Sequence, residues 1–309
     1  MPETTGATKA IRYHEYGEPS VLKLEEVPKP TPKEGEVLVK VRATGVHPMD
    51  WKLRTGMLKQ FMPLELPYVP GLEFAGTIEA VGEAVTGFAP GDDVFGQGSG
   101  TYAEYAVAPT TSIAKKPAKL SFEDAVPLGL SGVSAWSAVD LAAIQPGHRV
   151  LVLGGAGGVG AVAVQLVHRK RAYVIATTST ANLEYVKGLG ADEVVDNTKE
   201  IKVSPVDVVI DTVGGDALDK SWALLKKGGT LVAVAGMVDP KVAEQHGVKL
   251  KKLAQLSTTK PILEELAKLA ADGQLKSPVA ERFKLDDAAR AHEASQTGHG
   301  RGRRILTVA

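Results

Sequence analysis

The fold is decided by residues 149–169, which read RVLVLGGAGGVGAVAVQLVHR. The apolar run at 149–153 is typical of a buried strand, and 159–169 has the apolar spacing of a helix. Between them, Gly155, Gly157 and Gly160 satisfy the pattern G-x-G-x-x-G in the strand–turn–helix setting that a dinucleotide-binding loop requires. This stretch therefore predicts the first strand, turn and helix of a Rossmann domain.

The chain then repeats this alternation of apolar strand and helix. Strands are predicted at 173–177, 193–195, 206–211 and 230–235, with helices at 181–189 and 216–226. Strands that are apolar throughout are buried on both faces, so the alternation predicts an α/β domain with a doubly wound parallel sheet.

The remainder of the chain has a different pattern. Up to residue 107 it shows short strands separated by glycine- and proline-rich turns, which predict a β-rich barrel or sandwich. The last segment has no further βαβ unit to join, so we expect it to pack on the β-rich domain and make that domain discontinuous. The predicted domains are residues 1–123 with 274–309, and residues 124–273.

Composition restricts the possible functions. Lys plus Arg and Asp plus Glu are both 36, so the net charge is zero and nothing favours a nucleic-acid or anionic-membrane partner. The chain has no cysteine, which excludes disulfides, thiolate metal sites and thiol nucleophiles. No apolar run reaches the roughly 20 residues that span a bilayer, and the N-terminus lacks a signal core. We expect a cytoplasmic protein.

The glycine loop predicts how a cofactor is held. One glycine makes the tight turn, one lets the pyrophosphate approach bare backbone, and one lets the helix lie close to the strand. The helix N-terminus supplies amide donors for the phosphates. An ordinary glycine-rich turn is the alternative, and the surrounding βαβ series favours cofactor binding. The residues predicted to contact the cofactor here are Gly155, Gly157, Gly158, Val159 and Gly160.

The residues after the second predicted strand of the parallel sheet, 173–177, indicate whether the cofactor is NAD or NADP. NAD enzymes usually place an acid there, which binds the ribose 2′-hydroxyl. This chain has Thr-Thr-Ser-Thr at 177–180 and no acid until Glu184. Hydroxyls can donate to a 2′-phosphate, so Thr178 and Ser179 are predicted to favour NADPH, although the same hydroxyls can also cap the following helix. Additional candidate donors are Asn182, Lys187, Lys170 and Arg171.

Two further segments are predicted to approach the cofactor. Ligands of open α/β sheets lie beyond the carboxyl ends of the strands. Thr212 and Val213 follow the fourth strand, and Ala235 and Gly236 end the fifth. All four are therefore candidate cofactor-binding residues.

Six short motifs, taken in order, point to a family. They are GVHPMDWK at 45–52, YVPGLEFAG at 68–76, PGDDV at 90–94, YAEY at 102–105, GAD at 190–192 and GRRIL at 302–306. The chain resembles the medium-chain dehydrogenase/reductase superfamily, in its zinc-free quinone oxidoreductase (zeta-crystallin-like) branch. The resemblance implies a discontinuous GroES-like domain, a Rossmann domain, and an active site between them.

The resemblance also bears on zinc. Zinc-dependent members carry cysteine and histidine ligands at two of these motifs, and the matching positions here hold His47 and Leu72. With no cysteine in the chain, a tetrahedral zinc site has no ligand set. We therefore expect NADP(H) as cofactor and no zinc.

Further site residues follow from the resemblance. His47, Asp50 and Tyr68 are candidates for the acceptor site. The alternative roles are packing beside the cofactor or a turn before Pro48 for His47, loop orientation or helix capping for Asp50, and aromatic packing for Tyr68. Ser134 is predicted to lie near the nicotinamide, with Ser131 as the competing choice.

The adenosine end has two candidates from the resemblance. Asn197 occupies a position where relatives often have tyrosine. Arg303 is the tail candidate, from the basic group Arg301, Arg303 and Arg304, for which a solvated charge cluster is the alternative.

The function implied is hydride transfer from NADPH to a small quinone or α,β-unsaturated carbonyl. Without zinc to stabilise an alkoxide, an acceptor that delocalises its own charge is the better substrate. An enoyl-thioester reductase and a non-catalytic NADPH-binding, crystallin-like protein are the alternatives. The resemblance also implies a homodimer.

Overall fold

A computed structural model describes residues 6–236, 238–298 and 300–309, and the chain divides into two compact units. The first, the β unit, comprises 1–130, 257–299 and 303–309, and the second, the Rossmann unit, comprises 131–256 and 300–302. In the described part of the chain, no helix is both long enough and apolar enough to cross a membrane.

The β unit contains strands from both ends of the chain. Its strands are β1 (Ala7–Arg12), β2 (Lys23–Pro28), β3 (Glu36–Val46), β4 (Glu73–Val81), β5 (Asp93–Gln97), β6 (Tyr105–Pro109), β7 (Ile113–Lys115), β14 (Val279–Lys284) and β15 (Arg303–Thr307). Its helices are α1 (Pro48–Arg54), α2 (Phe122–Pro127), α8 (Lys260–Ala271) and α9 (Ala288–Gln296).

A seven-stranded sheet joins the two ends of the chain within the β unit. Its order is β14-β15-β3-β4-β5-β7, with β6 also paired to β3, while β1 and β2 form a separate antiparallel pair. The C-terminal β15 lies antiparallel to β3, with Ile305 opposite Gly45. The predicted discontinuous GroES-like domain is therefore confirmed.

The Rossmann unit contains the remaining elements. Its strands are β8 (Arg149–Leu153), β9 (Tyr173–Thr178), β10 (Glu193–Asp196), β11 (Val206–Asp211), β12 (Leu225–Ala233) and β13 (Lys249–Lys252). Its helices are α3 (Val133–Leu141), α4 (Gly158–Arg169), α5 (Leu183–Lys187), α6 (Gly215–Ser221) and α7 (Pro240–Gln245). All its strand pairs are parallel, in the order β10-β9-β8-β11-β12-β13.

This order is the doubly wound one, in which the chain reverses its direction of growth between β8 and β11. The central strands are buried because helices cover such sheets on both faces: Val150, Leu151, Val152 and Leu153 are all inaccessible to solvent. The predicted α/β architecture is confirmed. In such sheets ligands bind beyond the carboxyl ends of the strands at the reversal, so the ends of β8 and β11 are the candidate ligand site.

The predicted domain boundaries were 123/124 and 273/274, whereas the units meet at 130/131 and 256/257. The main difference is α8, which the sequence assigned to the Rossmann domain. Leu263 and Leu266 on α8 are fully buried, and the Thr259 amide at the start of this helix donates to the Thr111 carbonyl oxygen at 2.9 Å. This contact places α8 with β7 in the β unit.

Candidate functional site

The glycine loop connects β8 to α4 and leaves backbone donors available. Gly154 has a φ of 75°, which favours glycine, and its amide donates to Thr177 Oγ1 at 3.1 Å. Gly157 is the N-cap of α4 and lacks a side chain that could satisfy the first amides. Because the amides of the first turn have no preceding helical carbonyl, those of Gly158, Val159 and Gly160 are positioned to bind an anion.

The loop has no room for a side chain at two of its glycines. A Cβ at Gly160 would overlap the Gly154 carbonyl oxygen, and a Cβ at Gly155 would lie 2.8 Å from the Ala176 Cβ. At Gly157 the corresponding atom would lie 3.3 Å from the Gly154 oxygen, on the partly exposed side of the loop. These residues therefore fit a dinucleotide pyrophosphate, which needs both bare backbone and a helix N-terminus.

The segment after β11 packs against the glycine loop. Thr212 Oγ1 donates to the Leu153 carbonyl oxygen at 2.6 Å, and a Cβ at Gly154 would lie 2.6 Å from Val213 Cγ2. Asp211 Oδ1 fixes this turn by accepting from the amides of Val213 and Gly214, at 3.0 and 2.9 Å. Val213 remains 52% exposed, so it presents an apolar surface beside the loop.

The end of β12 adds open space at the same edge of the sheet. The Ala235 amide donates to the Asp211 carbonyl oxygen at 3.2 Å. A Cβ built at Gly236 would contact no other atom within 4 Å. The structure therefore brings the predicted residues Thr212, Val213, Ala235 and Gly236 to the carboxyl ends of adjacent strands.

Residues 177–180, which were predicted to favour NADPH, carry both buried and accessible hydroxyls. Thr177 and Thr178 are buried. The prediction that Thr178 is an accessible donor is therefore wrong. Ser179 is half-buried, and Asn182 Nδ2 donates to its Oγ at 3.2 Å. The exposed Thr180 donates to Asp196 Oδ2 at 2.6 Å. Ser179 is therefore the hydroxyl best placed for a phosphate, because Thr180 lies beside a carboxylate.

Two further predicted cofactor residues are Asn197, predicted at the adenosine end, and Ser134, predicted near the nicotinamide. Asn197 is exposed, and its backbone amide donates to the Thr178 carbonyl oxygen at 2.8 Å. Ser134 is half-buried in the first turn of α3, and the competing Ser131 is fully buried in the π-helical turn that precedes this helix.

The tail arginine beside the glycine loop is Arg301, whereas the sequence predicted Arg303 as the tail residue at the cofactor. The Gly302 amide donates to the Ala156 carbonyl oxygen at 2.7 Å, and Asn182 Nδ2 donates to the Gly300 carbonyl oxygen at 3.4 Å. The Arg301 guanidinium lies 5.1 Å from the Tyr185 ring centre. The only signal in the sequence was the pair of glycines around Arg301, which mark it as a loop residue.

Arg303 instead lies inside the β unit. Its Nε is 3.2 Å from Glu73 Oε1, and its Nη1 donates to the Val46 carbonyl oxygen at 3.2 Å. Glu73 is fully buried, and its Oε2 accepts from the Leu130 amide at 2.9 Å. The guanidinium is thus the partner of a buried carboxylate, which the linear sequence did not reveal.

His47 and Asp50 form a capping box at the start of α1. His47 Nδ1 accepts from the Met49 amide at 3.1 Å, and Asp50 Oδ2 accepts from the His47 amide at 2.7 Å. Since Nδ1 is the acceptor, a neutral His47 carries its hydrogen on Nε2. Burial, with the charges of Arg303 and Lys52, holds the pKa of His47 well below its usual value. His47 is therefore a neutral donor at pH 7.

Asp50 and Tyr68 have structural roles. Asp50 is buried and also accepts from the Gly71 amide at 3.2 Å, so it joins two loops and is not open to a substrate. Burial raises the pKa of Asp50 to about 7, although its two backbone donors oppose the shift. The Tyr68 ring packs 5.7 Å from the Tyr13 ring against the β-unit core. The packing alternative that the sequence left open for Tyr68 fits this position.

The positions that match the zinc motifs hold no ligand set. Leu72 cannot coordinate a metal, and Glu73 is paired with Arg303. Within residues 6–236, 238–298 and 300–309, no group of three metal-ligating side chains is arranged to hold an ion.

Comparison with known proteins gives matches across both units. Residues 33–118 match the family described as alcohol dehydrogenase GroES-like domain, and residues 189–306 match the family described as zinc-binding dehydrogenase. A quinone oxidoreductase of Sus scrofa is 35% identical over 92% of this chain and 92% of its own length. An NADPH-dependent alkenal/one oxidoreductase of Arabidopsis thaliana is 38% identical over 83% of this chain and 72% of its own length.

A solved structure agrees with these matches. The quinone oxidoreductase from Coxiella burnetii superposes with a TM-score of 0.91 at 34% identity, covering 98% of this chain and 100% of that one. The match therefore includes residues of both units. The chain therefore belongs to the quinone oxidoreductase branch of the medium-chain dehydrogenase/reductase superfamily, a family of oxidoreductases.

Proposed function

We propose that this chain is an NADPH-dependent oxidoreductase that reduces a quinone or an α,β-unsaturated carbonyl without zinc. The proposal depends on the glycine loop, which leaves the amides of the first turn of α4 open. It also depends on the end of β9, where no acidic residue follows until Glu184. NADPH, when bound, supplies the hydride. The backbone of Gly157 to Gly160 would hold the pyrophosphate, and Val213, Ala235 and Gly236 would line the path of the cofactor.

The preference for NADPH over NADH is supported by charges near Ser179. Asn182 links Ser179 to the Gly300 carbonyl oxygen, which places the neighbouring Arg301 in the same region. Both Ser179 and Arg301 can donate to a 2′-phosphate. Asp196 would repel a phosphate, but its carboxylate already accepts from the hydroxyls of Thr180 and Thr198.

Arg301→Met is expected to weaken binding of 2′,5′-ADP about tenfold, because a charge-assisted hydrogen bond to the phosphate is lost. Binding of 5′-ADP, which lacks the 2′-phosphate, should change less than twofold. Isothermal titration calorimetry measures both affinities, and Arg304→Met is the matched control. Equal losses for the two nucleotides would show that Arg301 does not recognise the 2′-phosphate.

Zinc independence is supported by the residues at the acceptor side. His47 uses Nδ1 to cap α1, Leu72 has no ligand atom, and Glu73 is held by Arg303. A neutral His47 can donate a hydrogen bond from Nε2 to a substrate oxygen, which suits a quinone or enone whose developing charge falls on oxygen.

The experiment that tests this function is steady-state turnover with NADPH on quinones, enones, an enoyl thioester and simple ketones. We expect turnover with quinones and enones, unchanged after dialysis against EDTA. Preferential reduction of the enoyl thioester would favour the alternative reductase. Binding of NADPH without turnover on any acceptor would favour a non-catalytic role, and loss of turnover with EDTA that zinc restores would contradict zinc independence.

A further inference from the structure

Four buried side chains of the β unit form one continuous chain of hydrogen bonds. Arg54 Nε lies 3.2 Å from His292 Nδ1, His292 Nε2 lies 3.2 Å from the Tyr102 hydroxyl, and that hydroxyl lies 3.3 Å from Asp50 Oδ2. Each of the four residues is at most 1% exposed, and Arg54 is among the largest fully buried side chains. The function proposed above does not use this chain.

The donors and acceptors of this chain can be assigned in one direction. A guanidinium only donates, so Nδ1 of His292 must accept from Arg54. Nε2 of a neutral His292 therefore carries the hydrogen and donates to the Tyr102 oxygen. The Tyr102 hydrogen is then free to donate to Asp50. Burial lowers the pKa of His292 to about 3, which is consistent with a neutral ring.

The two ends of the chain are a guanidinium and a carboxyl group, which carry opposite charges when Asp50 is ionised. The other acceptors of Arg54 are neutral: the Gly17 carbonyl oxygen at 2.5 Å and Gln296 Oε1 at 2.7 Å. Among the described residues, no ion pair includes Arg54, and the nearby Glu18 and Glu293 are both exposed. A buried cation is costly unless a counter-charge compensates it. The carboxylate at the other end of the chain is Asp50.

Asp50 holds the two loops that carry the candidate acceptor residues. Its Oδ2 accepts from the His47 amide and its Oδ1 accepts from the Gly71 amide, next to Leu72. We propose that Arg54 and Asp50 form an ion pair relayed through His292 and Tyr102, and that Arg54, His292 and Tyr102 are positioning residues for the His47 loop. The part of this proposal that concerns turnover rests on the function proposed above.

A double-mutant cycle on melting temperature tests the relay without any assay of activity. Arg54→Met, Asp50→Asn and the double variant are compared at pH 8, where Asp50, with its pKa of about 7, is ionised. If the two residues were independent, the fall in melting temperature of the double variant would equal the sum of the falls of the two single variants. We expect the double variant to melt at least 3 °C above that value, since neither charge is then left unpaired. In a Tyr102→Phe background the losses should become additive within 1 °C.

Two outcomes would overturn the relay. The first is that the falls in melting temperature of Arg54→Met and Asp50→Asn simply add when Tyr102 is present. The second is that they remain non-additive in the Tyr102→Phe background. If Arg54→Met does not fold, His292→Gln and His292→Leu take its place. Gln keeps one acceptor and one donor, whereas Leu keeps neither. We then expect His292→Leu to melt at least 5 °C below His292→Gln, and equal melting temperatures would also overturn the relay.

Turnover distinguishes positioning from stability. Below the melting range, His292→Leu is expected to lower kcat about tenfold per folded enzyme with KM for NADPH within twofold, and His292→Gln should restore most of the loss. An unchanged kcat in His292→Leu would show that the relay does not position the His47 loop. If the unaltered enzyme has no turnover, the proposed function fails, while the melting cycle still decides the relay.

Discussion

Arg303→Met is expected to lower the free energy of unfolding by about 3–5 kcal/mol, the range typical when one partner of a buried ion pair is removed. Glu73 is fully buried, and without Arg303 its charge loses its ion-pair partner in a region closed to water. The Val46 carbonyl oxygen also loses its hydrogen bond from Nη1. Urea unfolding followed by circular dichroism measures the change.

Arg304→Met is the matched control for this prediction. Arg304 lies next in the chain, and its Nε pairs at 3.2 Å with Glu281, which is 59% exposed. Because Glu281 stays accessible to water when Arg304 is replaced, the free energy of unfolding should fall by only about 1 kcal/mol. Glu73→Gln combined with Arg303→Met should recover much of the loss. Similar stabilities of the two single variants would contradict the ion-pair role of Arg303.

Gly160→Ala is expected to destabilise the Rossmann unit by about 3 kcal/mol and to abolish measurable NADPH binding. The added Cβ would overlap the Gly154 carbonyl oxygen, so α4 would have to move away from β8. The first-turn amides would move with the helix and would no longer converge on the pyrophosphate. Urea unfolding and calorimetric titration with NADPH measure the two effects.

Gly157→Ala separates the binding role of the loop from its packing role. Gly157 has a φ of −70°, which alanine can adopt, and its Cβ would lie 3.3 Å from the Gly154 oxygen. We expect a stability change within about 1 kcal/mol, since only a small adjustment is needed. The affinity for NADPH should still fall roughly tenfold, because the methyl group lies where the pyrophosphate must approach. An unchanged affinity would place the pyrophosphate elsewhere.

Local patterns predicted much of the Rossmann unit. The strands at 149–153 and 206–211 have their predicted bounds, because each is an apolar run bounded by turn residues. The helix predicted at 216–226 ends instead at Ser221, and β12 begins at Leu225. Leu225 pairs with Val206 across the sheet, and such a contact between distant residues overrides local helix preference.

The sequence by itself determined the glycine loop, the alternation of strands and helices, and the absence of cysteine. Each depends on residue type and local spacing, which can be read along the chain. Only the tertiary structure decided that Arg303 pairs with Glu73, that Arg301 lies beside the glycine loop, and that Asp50 joins two loops. These roles depend on burial and on partners distant in sequence, and folding alone brings such groups into contact.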